Sequence, residues 1–87
     1  MANILLVDDD VASIALLKRN IEEFGHKVNA VFDAKSALES MRRFKYDVMV
    51  TDFNMPEMNG IELTEEVMKI EQDMIVILVT AYASIKL

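Results

Sequence analysis

The sequence predicts an α/β fold built on a parallel sheet. Two observations carry this. Four short β-prone runs alternate with three segments of helical periodicity, and that order calls for parallel strands joined by right-handed crossovers. The first run, NILLV, is apolar as a strand covered by helices on both faces should be, and Met74–Val79 is the longest apolar run of the chain.

Asn3–Val7 (NILLV) is the first strand. Val11–Phe24 is the first helix, with Ile14, Leu17, Ile21 and Phe24 on one stripe. Asp10 can cap its start, and Gly25 can end it in left-handed geometry. Lys27–Phe32 is a more polar second strand, suited to a sheet edge. Ala34–Phe44 is the second helix, capped by Asp33, with Ala34, Ala37, Leu38, Met41 and Phe44 inward. Asp47–Thr51 is the third strand, and Asp52–Asn59 is a loop containing Asn54, Pro56 and Asn59. Gly60–Ile70 is the third helix, with Leu63, Val67 and Ile70 inward, and Met74–Thr80 is the fourth strand. Ser84–Leu87 can begin a fourth helix.

Eighty-seven residues make one domain, with no Pro/Ser-rich linker and no repeat. Hydrophobic residues make up 53% of the chain, which places it among globular proteins. The net charge of −6 argues against a nucleic-acid surface, which needs clustered Lys and Arg. Without cysteine there are no disulfides, thiolate metal sites or Cys nucleophile. The apolar run Met74–Val79 is far short of the ~20 residues that span a membrane. The N-terminus has no basic region before its apolar stretch. The expectation is a soluble cytoplasmic domain that contacts neither membrane nor nucleic acid.

Open parallel sheets place their sites at the carboxyl ends of the strands. Here the first strand ends in Asp8, Asp9 and Asp10, the third in Asp52 followed by Asn54, and the fourth in Thr80. If these strands are neighbours, several carboxylates face one pocket. Two such charges ~4 Å apart repel by roughly 4 kcal/mol at an effective dielectric near 20. A shared proton or a cation relieves this, and a hard oxygen site with room for water suits Mg²⁺. Helix capping alone accounts for Asp10 but not for Asp52, which ends a different strand. A carboxylate in such a site can act as a nucleophile toward phosphorus, giving an aspartyl phosphate. Thr80 could donate its hydroxyl to a phosphoryl oxygen. There is no GxxxxGK or GxGxxG motif, so the donor need not be a nucleotide held by this chain.

The segments ILLVDDD, DVMVTDFNMPEMNG and VTAY, with Thr80 following Asp52 by 28 residues, resemble the receiver domain of two-component response regulators. The wording DFNMPEMNG and VTAYAS is nearest to receivers that precede sigma-54 activator modules. The resemblance covers residues 1–87 and implies a flavodoxin-like sheet of strand order 2-1-3-4. It implies Asp52 as the phosphoacceptor for a sensor histidine kinase and Thr80 as the switch hydroxyl. It also implies a Mg²⁺ site of Asp9, Asp52 and the Asn54 carbonyl, with Asp8 assisting through water. Met55, Pro56 and Gly60 would shape the loop. Such a domain is a phosphoacceptor that assists its own phosphorylation and dephosphorylation, not a turnover enzyme.

One departure is large. Receivers carry a fifth strand followed by a lysine, and neither is present in these 87 residues. Lys86 follows Thr80 too closely to be that lysine, and Tyr82 is not the switch aromatic. The expectation is a C-terminally incomplete receiver with impaired phosphotransfer. Its fourth strand, left as an edge, would be covered by self-association or by a completing chain. The alternative is a pseudo-receiver, an interaction module or engineered fragment without phosphotransfer; the presence of Asp8, Asp9, Asp52 and Thr80 opposes it. A haloacid-dehalogenase-type phosphatase needs D-x-D, and Asp52-Phe53-Asn54 offers no second acid. His26 reads as an exposed turn residue, and the methionines as core or loop filler.

Overall fold

The computed structural model describes residues 1–79. The elements are β1 (Asn3–Val7), α1 (Val11–Glu23), β2 (Lys27–Val31), α2 (Ala34–Arg43), β3 (Val48–Asp52), α3 (Gly60–Ile70) and β4 (Ile75–Val79). The strands form one sheet in the order β2-β1-β3-β4, and every pairing is parallel. The flavodoxin-like arrangement expected from the sequence is therefore present. Thr80 and the segment Ser84–Leu87 lie outside the described residues.

Alternation along β1 divides the core in two. Leu5 and Val7 join Ala37, Met41, Met49, Leu63 and Val67 beneath α2 and α3. Ile4 and Leu6 join Ile14, Val28 and Val50 beneath α1. Burial on both faces is what makes NILLV apolar throughout. The methionines behave as filler: Met41, Met49 and Met74 are buried, and Met55, Met58 and Met68 pack against that cluster.

The helix ends follow local chemistry. The Asp10 and Asp33 side chains accept from Ala12 and Ser36 amides, as N-caps should. Gly25 takes φ +91°, the left-handed geometry that ends α1. At α3, Asn59 and Glu62 form a reciprocal capping box, so Asn59 is an N-cap as well as the end of the expected loop.

Four expectations need correction. β3 runs one residue later than read, so Asp52 is its last residue rather than the first of the loop. Phe24 is 82% exposed and Phe44 55% exposed, not inward. Each lies just past its helix at the C-cap, where the helical stripe no longer sets direction. Tyr46, not Phe44, packs against the larger core cluster. Ile70, at the last turn of α3, is likewise exposed. His26 is half-buried, and its Nδ1 accepts the Ala2 amide at 3.0 Å. It pins the start of β1 instead of sitting free in a turn.

Candidate functional site

Parallel pairing of β1 with β3 sets their carboxyl ends side by side, with Val7 opposite Thr51. The next residues of each chain segment are therefore Asp8 and Asp52. One carboxylate oxygen each from Asp8, Asp9 and Asp52 lies within 4.8 Å of the others. Asp8 and Asp52 are half-buried and Asp9 is exposed. Together with Asp10, Ser13, Leu17 and Val79 they line an open cleft of about 270 Å³ at the carboxyl ends of the strands.

Each acid has a distinct local role. Asp10 is the N-cap of α1, accepting from the Ala12 amide at 3.1 Å and the Ser13 hydroxyl at 2.9 Å. Capping thus occupies Asp10 and leaves Asp9 free to face the cleft. Asp8 Oδ1 accepts the Asp10 amide at 2.9 Å, which orients its carboxylate. Asp52 is held by the strand it ends. Buried Thr51 donates its hydroxyl to the Asp52 carbonyl at 3.1 Å, and the Phe53 amide donates to Val79 of β4 at 2.9 Å.

The electrostatics single out Asp52. Burial pushes its carboxyl above the ordinary aspartate range, and the charge of Asp8 pushes it further. The Asn54 amide pulls it back, Asp9 adds to the rise, and the Phe53 amide again offsets it. Charge on Asp52 is thus opposed by its neighbours and supported by two amides of its own loop. A divalent cation among three hard oxygen donors removes the first effect and keeps the second. The donor set fits Mg²⁺.

The loop after Asp52 is shaped by two features. Gly60 begins α3 directly against β3 and β4. A Cβ there would meet Leu78 Cδ2 at 2.6 Å and the Asp52 carbonyl oxygen at 2.7 Å, so no other residue fits without displacement. The Gly60 amide donates to the Phe53 carbonyl at 2.8 Å, closing the loop on itself. Glu57 takes φ +73°, a left-handed conformation unusual for a side-chain-bearing residue. Sequence patterning could suggest a loop glycine at position 60. It held no signal for the approach of Leu78 or for the backbone of Glu57.

Of the residues read as functional, the fold brings Asp8, Asp9 and Asp52 to one place, with the Asn54 amide beside Asp52 and the Asn54 side chain exposed. Thr80 lies outside the described residues.

Residues 4–87 match the response regulator receiver domain. The chain belongs to this family. The receiver is 36% identical over 84 residues to the transcriptional regulatory protein GlrR of Escherichia coli, covering 97% of this chain and 19% of GlrR. It thus spans about a fifth of the length of the first curated relatives it matches. Its fold superposes on the response regulator protein TrrA of Thermotoga maritima, in complex with Mg²⁺-BeF, with a TM-score of 0.90 and 34% identity. That match covers 95% of the receiver and 72% of TrrA. A second structure, of histidine kinase ThkA in complex with TrrA, gives a TM-score of 0.89 and 32% identity. It covers all of the receiver and 75% of the matched chain. Among the described residues no helix of the receiver is long and apolar enough to cross a membrane.

Proposed function

We propose that this receiver accepts a phosphoryl group onto Asp52 from a sensor histidine kinase, with Mg²⁺ held by Asp8, Asp9, Asp52 and the Asn54 carbonyl. The observation that carries this is the convergence of three carboxylates from two strands within 4.8 Å, one of them with its charge disfavoured. A Mg²⁺-BeF complex and a histidine-kinase complex of the similar protein TrrA support the same reading. An Asp52 oxygen attacks phosphorus, the phosphorus–nitrogen bond of the kinase phosphohistidine breaks, and the imidazole nitrogen leaves with the electron pair. Asp52 supplies the nucleophile and its loop amides keep that carboxylate oriented. Asp8, fixed by the Asp10 amide, completes the acidic wall with Asp9. Bound Mg²⁺ supplies neutralisation of charge on the phosphoryl oxygens. Thr80 donates its hydroxyl to one of those oxygens once transfer is complete.

Treatment of the 87-residue chain with acetyl phosphate and Mg²⁺ should add the mass of one phosphoryl group. Asp52→Asn should abolish it and Asp9→Asn should slow it. Labelling that survives Asp52→Asn would place the acceptor elsewhere. The pseudo-receiver reading requires no labelling at all, and the intact carboxylate cluster weighs against it.

The β4 edge supports a second reading about partners. Ile75, Ile77, Leu78 and Val79 are exposed, and among the described residues no strand pairs with the outer side of β4. We infer that this edge is covered by another copy of the chain or by a completing strand. The strand carries no charge, Pro or Gly to blunt it.

A further inference from the structure

Among the described residues, Thr51 is the one polar side chain that is buried. It follows Val48, Met49 and Val50 in β3 and directly precedes Asp52. Valine has nearly the same branched shape and the same preference for strands, without a hydroxyl to desolvate. Packing and strand formation therefore do not explain the oxygen. A buried hydroxyl must find a partner, and this one donates to the Asp52 carbonyl at 3.1 Å. That need accounts for the bond once a hydroxyl is there, but not for a hydroxyl at this position.

Side chains alternate along β3. Met49 joins the cluster under α2 and α3, and Val50 joins the one under α1. Thr51 therefore points to the α2/α3 face and Asp52 to the α1 face. The cleft agrees: Ser13 and Leu17 of α1 line it with Asp52, while buried Thr51 has no surface on it. Thr51 thus reaches Asp52 through the main chain alone. The peptide unit it bonds is one that serves the carboxylate. The Asp52 carbonyl and the Phe53 amide are two ends of a single plane. The Asn54 and Phe53 amides favour the charged form of Asp52, and the Phe53 amide also donates to Val79 at 2.9 Å. The carbonyl has no slack on its other side, since a Cβ on Gly60 would stand 2.7 Å from its oxygen.

We propose that Thr51 is a positioning residue for phosphotransfer: its hydroxyl, through the Asp52 carbonyl, fixes the peptide plane that aims the Asp52 carboxylate at phosphorus. The inference rests on Asp52 being the acceptor. Nucleophile orientation acts on the chemical step, where small misplacements cost rate. Thr51 touches neither the cleft nor anything bound in it. The rate at saturating donor should therefore depend on this hydroxyl, and the donor KM should not.

The test is the rate of labelling by acetyl phosphate with Mg²⁺, well below the melting temperature of every variant. An Asp52 oxygen bonds to phosphorus, the phosphorus–oxygen bond to the acetyl group breaks, and acetate leaves with the electron pair. Thr51→Val keeps the volume and loses the hydroxyl. It should lower the saturating rate roughly two- to tenfold with KM unchanged, the equivalent of one neutral hydrogen bond. Thr51→Ser keeps the hydroxyl and loses a methyl, and should stay within about twofold of the wild type because that bond is retained. Melting temperature should rank the two the other way, since serine leaves a void in the core. A role in packing alone makes rate follow stability, with valine at or above serine in both, and that result would overturn the inference. Labelling lost in Asp52→Asn but unchanged in Thr51→Val defeats it while the acceptor assignment stands. Labelling that survives Asp52→Asn, or none in the wild type, removes the acceptor and the inference together. Amide NMR reads the peptide plane without any labelling: Thr51→Val should move the Phe53 and Asn54 signals, and Thr51→Ser should leave them near their wild-type positions. Equal shifts in the two variants would count against the hydroxyl.

Discussion

Asp52 is the residue whose local environment most strongly opposes its own charge. Because burial and Asp8 raise its folded pKa, the folded protein binds more protons than the unfolded chain between about 3.9, the ordinary aspartate value, and that raised value. Stability of the metal-free protein therefore falls as pH rises through this window, and the loss persists at neutral pH. Asp52→Asn should raise the melting temperature at pH 7 without metal and flatten the pH dependence above 3.9, the reference value of a free aspartate. On the proposed Mg²⁺ site, millimolar Mg²⁺ should stabilise the wild type, and Asp52→Asn should erase most of that gain. A drop in melting temperature for the metal-free variant would show that Asp52 contributes net stabilising interactions and that its charge is not opposed. Gly60 acts in the opposite sense. A Cβ there must displace Leu78 or the Asp52 carbonyl, so Gly60→Ala should cost roughly 1–3 kcal/mol, the range for overpacking a filled site. It should also perturb Asp52–Asn54 amide signals. Glu57, held at φ +73°, predicts a gain: Glu57→Gly should relieve a left-handed conformation costing roughly 1 kcal/mol or more, less the entropy that glycine loses on folding. Chemical denaturation reads each of these changes.

At the scale of elements, all three helix starts and the end of α3 were legible, whereas α1 and α2 each end one residue before the expected Phe24 and Phe44. Asp10 and Asp33 precede amphipathic stripes, and both cap as a short polar acceptor in that position should. Asp33→Ala should cost about 1 kcal/mol. Its Ser36 hydrogen bonds lower the Asp33 pKa, so the cap's contribution should be present above about 3.9 and fade as pH falls through the lowered folded value. Asn59 caps α3 just as well, but in the sequence it sits among Asn54, Pro56 and Gly60 and reads as loop. Phe24, Phe44 and Ile70, all exposed, show why the inward face fails at helix ends. Periodicity assigns a face only while the chain stays helical, and two of these residues lie at C-caps, outside their helices. The carboxylate site was legible because strand ends in a parallel sheet converge, whatever the side-chain detail. The acids at residues 8, 9 and 52 needed only the neighbouring of β1 and β3. What stayed hidden was contact-dependent: Leu78 against Gly60, His26 against Ala2, and Tyr46 locked by Asn29 and Ser40.

At the scale of the whole molecule, the two faces of the sheet are unequally covered. Among the described residues, nine buried residues form the cluster under α2 and α3, against five under α1. Register shows where the thinner face ends. Ile75, Ile77 and Val79 sit beside Val48, Val50 and Asp52, and Val48 and Val50 belong to the α1-side cluster. Those three β4 side chains therefore lie on the face that α1 covers, beyond its reach, and all three are exposed. Burying such a side chain contributes roughly 1.5–3 kcal/mol, and among the described residues the outer edge of β4 is unpaired and offers backbone groups for a further strand. The chain should accordingly associate as its concentration rises. Sedimentation velocity should show species heavier than 9.9 kDa at tens of micromolar, and hydrogen exchange should show β4 amides gaining protection with concentration. Ile77→Lys, on a side chain 48% exposed, places a charge in the middle of the edge. It should weaken association at least tenfold, which is ~1.4 kcal/mol, while leaving the melting temperature of the dilute protein within a few degrees. A single 9.9 kDa species across that concentration range, with β4 amides exchanging freely, would mean the strand tolerates solvent on both its outer edge and its apolar face.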